Sequence, residues 1–286
     1  MIALADFPIE AHLYQGERIR VDQLAHGIVR LVLTRPGLRN AFDGVMIGEL
    51  SHNLEALGGM PGDALRLLLL DGEGEVFCAG ADLGYMRTLA TASMAQNVAE
   101  ARSLAQLFHR LASFPAPVLA AIQGAAIGGG LGLAVCADLV VADAQAVFAT
   151  TEVRLGIVPG VISPYVLRKL GVSRGGELML TGRRISGEEG QAMGLVHHLV
   201  STPSNFGTRL SEVILECLLA GPEAARRTKG LLLQGVPLPD EGLTEFTFSA
   251  IAEARASAEG QVGLSAFLEK QPAPWRAGLP QGAGHP

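Results

Sequence analysis

The stretch Gly124-Ala-Ala-Ile-Gly128-Gly129-Gly130-Leu-Gly132-Leu-Ala-Val-Cys-Ala-Asp138 decides how the rest of the chain reads. It follows a short apolar run, Pro117-Val-Leu-Ala-Ala-Ile122, with the length and flanks of a buried strand. It ends in small apolar residues suited to a helix packed on all sides. Three consecutive glycines at a strand-to-helix turn let another backbone come close, because no Cβ stands in the way. They also leave unpaired N–H groups at a helix start, where negative charge is favoured. No Gly-Lys-Ser/Thr follows, which excludes a Walker-type phosphate loop, and Leu133 takes the last glycine position of a dinucleotide fingerprint. Tight helix–strand packing would by itself explain an isolated Gly-Gly-Gly.

A second stretch, Phe77-Cys-Ala-Gly80-Ala81-Asp82-Leu83, also follows a buried run, Leu65-Arg-Leu-Leu-Leu-Leu70, through an Asp71-Gly-Glu-Gly74 turn. Two glycine-bearing strand ends, each offering a backbone N–H, are what an oxyanion hole for a thioester enolate requires. The pair resembles the crotonase (enoyl-CoA hydratase/isomerase) superfamily, and the resemblance runs from about residue 21 to 275. It implies an α/β fold of stacked ββα units with a C-terminal helical region that assembles trimers, or pairs of trimers. It also implies that the N–H groups of Ala81 and Gly129 hold an acyl-CoA carbonyl. Ala79, Gly80, Asp82 and Leu83 share the first loop. Arg39 and Ala41, in Arg35-Pro-Gly-Leu-Arg-Asn40-Ala-Phe42, are implied to border the CoA groove. A turn plus an Asn near a helix start explains the shape of that segment as well.

Bulk properties narrow the function classes. The 286 residues suffice for a sizeable core, and with 17% charged and 49% apolar residues disorder is confined to the ends. The net charge of −6, with no basic cluster longer than Arg226-Arg227, argues against nucleic acid. No apolar run reaches the roughly 20 residues of a membrane helix, and the start lacks a signal peptide's basic region. Cys78, Cys136 and Cys217 read as free core thiols of a reducing compartment, which places the protein in the cytoplasm. No residues show metal-ligand spacing, and His197-His198 reads as a strand end.

Along the chain, residues 1–20 carry no clear period. Strands are expected at 27–33, 65–70, 117–122, 139–143 and 146–148, with helices to residue 59 and over 94–113. Between Asp82 and Ser93 the pattern predicts a mobile loop, whose Tyr85 and Met86 are candidate acyl-pocket residues. Ser186 and Glu189 form a capping box opening another helix. From about residue 205 the pattern is helical: 206–220, 222–234, 241–259 and 261–268. The expected organisation is therefore a core at 1–204, a helical region at 205–275 and a disordered tail at 276–286. Within the resemblance, Lys270 of Phe267-Leu-Glu-Lys270 is implied to lie near the CoA of a neighbouring subunit.

Thr150-Thr-Glu152-Val-Arg154-Leu-Gly-Ile-Val-Pro159-Gly160 resembles the segment carrying the superfamily's acid/base glutamate, and Glu152 falls on that position. Pro159 and Gly160 follow it as pocket candidates. Taken without the resemblance, a lone Glu in such a segment is usually a solvated surface residue. Hydratases of the superfamily use a second glutamate just after the Gly-Gly-Gly, where this chain has Gly132. One carboxylate suffices to move a double bond, so Gly132 leaves an isomerase open. Yet Ala-Asp-Leu-x-x-Met-Arg, Thr-Glu-Val-Arg-Leu-Gly and Ile-Ser-Pro-Tyr-Val resemble 3-methylglutaconyl-CoA and isohexenylglutaconyl-CoA hydratases of leucine and acyclic terpene breakdown. The resemblance thus implies hydration of a glutaconyl-type thioester. Our own expectation is that the distal carboxylate of such a substrate sits near the space vacated at Gly132. A CoA-ester binding subunit without turnover is the remaining alternative. CoA belongs to the substrate, and no separate cofactor is expected.

Overall fold

The computed structural model describes residues 6–276. The expected disordered tail lies outside these residues from position 277 on.

Three strands open the chain as an antiparallel meander: β1 (Ile9–Gln15), β2 (Ile19–Leu24) and β3 (Ile28–Leu33). β1 is exposed along nearly all its length and, among the described residues, pairs only with β2. With no buried face it shows no period, which is why the sequence reading of residues 1–20 missed it. β4 (Leu67–Gly72), β5 (Val118–Ile122), β7 (Leu139–Asp143) and β10 (His198–Val200) join in parallel, giving the order β1-β2-β3-β4-β5-β7-β10. These central strands are apolar on both faces, as parallel strands covered on two sides must be. Leu68, Leu70, Val118 and Ala120 enter one apolar cluster, while Leu67, Leu69, Leu119 and Ala121 enter the other. A smaller sheet pairs β6 (Ala125–Ile127) with β8 (Val147–Ala149) and β9 (Ile185–Ser186).

Helices are placed by their caps. Asp43 caps α1 (Gly44–Gly58) by accepting from Met46 N at 2.8 Å. The expected loop after Asp82 is instead α2 (Leu83–Ala90), because the Asp82 carboxylate accepts from Tyr85 N at 3.0 Å and starts a helix there. Gly84 hid this in the sequence, since glycine disfavours helix interiors. α3 (Met94–Ala112) opens on a Ser93/Gln96 capping box. α4 (Gly129–Cys136) follows the glycine turn, and α5 (Ser163–Thr181) is broken at Gly171, where φ is +71°. α6 (Gly187–Met193) starts at the Ser186/Glu189 capping box.

Four α-helices come last among the described residues: α7 (Phe206–Leu219), α8 (Pro222–Gly235), α9 (Glu241–Ala256) and α10 (Ala258–Leu268). The last two meet at Ser257, whose hydroxyl caps α10 by accepting from Gly260 N at 3.0 Å. α7 covers one sheet face through Phe206, Leu210, Val213 and Ile214. Phe248 and Ile251 of α9 enter the cluster on the other face. Lys229 of α8, itself buried, is fixed to Asp138 at the end of α4 by a 2.7 Å ion pair. No helix among the described residues is long and apolar enough to cross a membrane.

Candidate active site

Backbone pairing delivers two N–H donors to one place. Cys78 N donates to Ala125 O and Ile127 N donates to Cys78 O, so the segment before Gly80 runs beside β6. On its other side Phe42 N donates to Gly80 O and Asp82 N to Phe42 O, each at 2.7 Å. Gly80 turns at φ +96°, and a Cβ there would stand 3.2 Å from Ile127 O. The Ala81 N–H is left without a partner among the described residues. Gly128, at φ +52°, caps α4, so the Gly129 N–H is a helix-start donor that is likewise unpaired. The helix dipole adds partial positive charge at that end.

Glu152 begins a 3-10 turn, Glu152–Leu155, that follows β8. Its Oε1 lies 3.2 Å from where a Cβ on Gly128 would be, so the carboxyl sits over the glycine turn. Its Oε2 is buried and has no hydrogen-bond partner. Desolvation pushes the Glu152 carboxyl up to about 7, opposed by a bond from its own backbone N–H and by the Arg255 guanidinium. A buried carboxyl with one oxygen unpartnered, pushed up toward neutrality, is a candidate proton-transfer group.

Ala81, Gly129 and Glu152 line one cavity of about 130 Å³. Its walls are mostly apolar, with Phe42, Leu104, Ile127, Val161, Ile162 and Ile251 among them. Tyr85, Met86 and Pro159, expected as pocket residues, line it, and so do Ala79 and Gly80, which were expected at the CoA loop. Gly132 does not. A methyl group there would lie 2.6 Å from both Phe108 Cζ and Ile162 Cγ2, so these side chains fill the space the sequence reading took as vacated. Gly160 is also off the cavity, since a Cβ there would point at Thr247 O, 2.3 Å away, and at Ile251. Leu83 is exposed and Asp82 is engaged as the α2 cap and with Arg35 at 3.4 Å, so neither lines the cavity. Ala41 is buried, its carbonyl accepting from Arg35 Nη1.

A second groove adjoins the cavity, sharing Ala79, Ile127, Thr151, Leu155 and Phe267 with it. It carries Arg39, Arg154 and Arg184, a charge pattern suited to phosphates. Lys270 is exposed just beyond α10, with φ +57°, and is not among the residues of either pocket. No three His, Cys, Asp or Glu side chains among the described residues converge as a metal would need.

Sequence reasoning missed Glu100 and Arg255. Both line the cavity, from α3 and α9, and pair at 2.5 Å between Arg255 Nη1 and Glu100 Oε2. Their signal is only that of charged residues on amphipathic helices, which normally face solvent.

The match to known proteins agrees with this geometry. Residues 23–278 match the model of the enoyl-CoA hydratase/isomerase family. The chain belongs to that family. An enoyl-CoA hydratase of Shewanella pealeana superposes with a TM-score of 0.71 at 36% identity, over 91% of this chain and 97% of that one. Human enoyl-CoA hydratase domain-containing protein 2, mitochondrial, is 35% identical over 265 residues, 90% of this chain and 89% of the relative. The 2,3-dehydroadipyl-CoA hydratase of Escherichia coli K12 is 31% identical over 251 residues, 85% of this chain and 93% of the relative. The architecture is therefore the crotonase fold, and the protein is an enzyme of the enoyl-CoA hydratase/isomerase type acting on acyl-CoA.

Proposed function

We propose that this member of the family adds water across the double bond of a short α,β-unsaturated acyl-CoA, of the branched glutaconyl type. The observation that carries the chemistry is the Glu152 carboxyl, buried with Oε2 unpartnered in the same cavity as the Ala81 and Gly129 N–H groups. With the thioester oxygen on those two donors, Cβ becomes electrophilic and the developing enolate is stabilised. Glu152 as carboxylate takes a proton from water while the water oxygen bonds to Cβ. The same proton then passes from Glu152 to Cα, leaving the 3-hydroxyacyl thioester and the carboxylate restored.

Substrate size is argued from volume. A cavity of ~150 Å³ takes a benzene ring, so about 130 Å³ suits an acyl group of similar bulk. That favours 3-methylglutaconyl over the longer isohexenylglutaconyl group. Arg39, Arg154 and Arg184 would hold CoA phosphates in the adjoining groove, with Lys270 serving a neighbouring copy. CoA then enters as part of the substrate, with no separate cofactor. Free thiols at Cys78, Cys136 and Cys217 fit a reducing cytoplasm. A double-bond shift by an isomerase is the second reading, favoured by Gly132, which brings no carboxylate to the glycine turn.

Incubation with enoyl-, 3-enoyl- and glutaconyl-CoA esters, followed by product mass, tests the proposal. Hydration adds the mass of water and isomerisation leaves mass unchanged. The Glu152→Gln variant should still bind acyl-CoA and lose about 10²–10⁴-fold in turnover. Near-normal kcat in that variant removes the assignment.

A further inference from the structure

The cavity holds one ion pair that the chemistry above does not use. Arg255 is the single cation among the described residues that line it, set in a wall otherwise made almost entirely of apolar groups. Its Nη1 donates to Glu100 Oε2 at 2.5 Å, and the two side chains are only 11% and 9% exposed. Tyr85, on α2, lines the same cavity, where burial first and the Glu100 carboxylate second push its phenol up. The Arg255 carbonyl accepts from Gln261 Nε2 at 2.7 Å, and that amide also donates to Ala90 O at 2.9 Å. Glu100 of α3 thus fixes the guanidinium, while Gln261 ties the backbone at Arg255 to the end of α2.

A buried ion pair contributes little net stability, because the desolvation of two charges offsets their attraction. A tie between α3 and α9 made of apolar side chains would hold the helices as well. Stability alone therefore does not explain the pair. Glu100 occupies Nη1, and no other hydrogen bond of the Arg255 side chain exists among the described residues. A planar guanidinium with unused donors in an apolar cavity matches a carboxylate, which it can take through two parallel bonds. Arg255 is also near enough to Glu152 to oppose its upward shift, so it stands within reach of an acyl chain whose carbonyl lies on Ala81 and Gly129.

We propose that Arg255, held by Glu100, is the specificity residue that binds the distal carboxylate of a dicarboxylic enoyl-CoA. The inference rests on the acyl-CoA reading of the cavity and names the group that selects among acyl chains. It also replaces Gly132 as the place where a substrate carboxylate is accommodated.

Binding and turnover separate the two levels of the argument. Affinity for glutaryl-CoA and butyryl-CoA, saturated and unreactive, is measured by calorimetry on wild type, Arg255→Gln, and the Glu100→Gln/Arg255→Gln pair, which leaves no uncompensated charge. The preference of wild type for glutaryl-CoA should fall by about 100-fold in both variants. The kcat/KM ratio of glutaconyl-CoA to crotonyl-CoA should fall in parallel. Glu100→Gln alone keeps an acceptor for Nη1 and removes the competing anion, so it should lower KM for glutaconyl-CoA severalfold. Equal losses for both esters in both Arg255 variants would show a strut rather than a specificity residue and overturn the inference. Wild type that prefers butyryl-CoA overturns it as well. Wild type that binds glutaryl-CoA through Arg255 yet hydrates nothing would sink the hydratase reading alone.

Discussion

At the scale of single residues, Glu152 joins catalysis to a stability penalty. Its carboxyl lies near 7 in the fold against an ordinary 4.5, with burial as the main cause and Arg255 the charged group opposing it. Between those two values the folded chain holds a proton that the unfolded chain has released. Stability therefore falls as pH rises from about 4.5 to about 7, and the loss is complete above that, up to roughly 3 kcal/mol. Glu152→Gln removes the loss, so urea denaturation at pH 8 should find the variant more stable than wild type, and at pH 4 nearly equal. Because the carboxylate is the form that takes the proton from water, kcat/KM of wild type should decline below about pH 7. A flat profile from pH 5 to 9 would contradict the role of Glu152.

At the scale of elements, α4 is fixed by how closely it approaches its neighbours. A Cβ on Gly130 would lie 2.6 Å from Cys78 O, and one on Gly132 as near to Phe108 of α3 and to Ile162 at the start of α5. This closeness brings the Gly129 N–H beside the loop that carries Ala81. In an open helix Gly132→Ala would gain about 1 kcal/mol of propensity. Here overpacking, typically about 1–3 kcal/mol, opposes and outweighs it. The urea midpoint of Gly132→Ala should thus drop, with a parallel loss of activity on every ester. Gly132→Glu, larger still, should fail to fold stably rather than gain hydratase activity. A Gly132→Ala variant as stable as wild type would show that Phe108 and Ile162 can move aside.

At the scale of the whole molecule, the C-terminal helices present apolar side chains that no described residue covers. Leu219 of α7 is 79% exposed, Leu231 of α8 is 71% and Phe246 of α9 is 69%. Single exposed apolar residues are common, but such residues on three successive helices fit a contact between copies. We propose a trimer or a pair of trimers, in which light scattering gives three or six times the 29.9 kDa chain mass. A monomer at micromolar concentration would contradict this, and a charge at Phe246 should shift the mass toward the monomer.

The sequence by itself determined the frame. Short apolar runs at Leu67–Leu70 and Val118–Ile122, bounded by turn residues, read as strands covered on both faces, and the glycines after them marked where backbone donors emerge. Glu152 stood out only through the resemblance of its segment, since a lone Glu there otherwise reads as a solvated surface residue, and its place over the glycine turn is a tertiary fact. Tertiary structure alone decided what completes the cavity. Glu100 and Arg255 lie 155 positions apart, and each is one charge on an amphipathic helix until α9 folds over α3. Gly132 shows the converse, since only packing reveals that Phe108 and Ile162 occupy the space beside it. The reason is physical: a strand or a turn is set by residues a few positions apart, whereas a pocket wall is set by which distant faces bury each other.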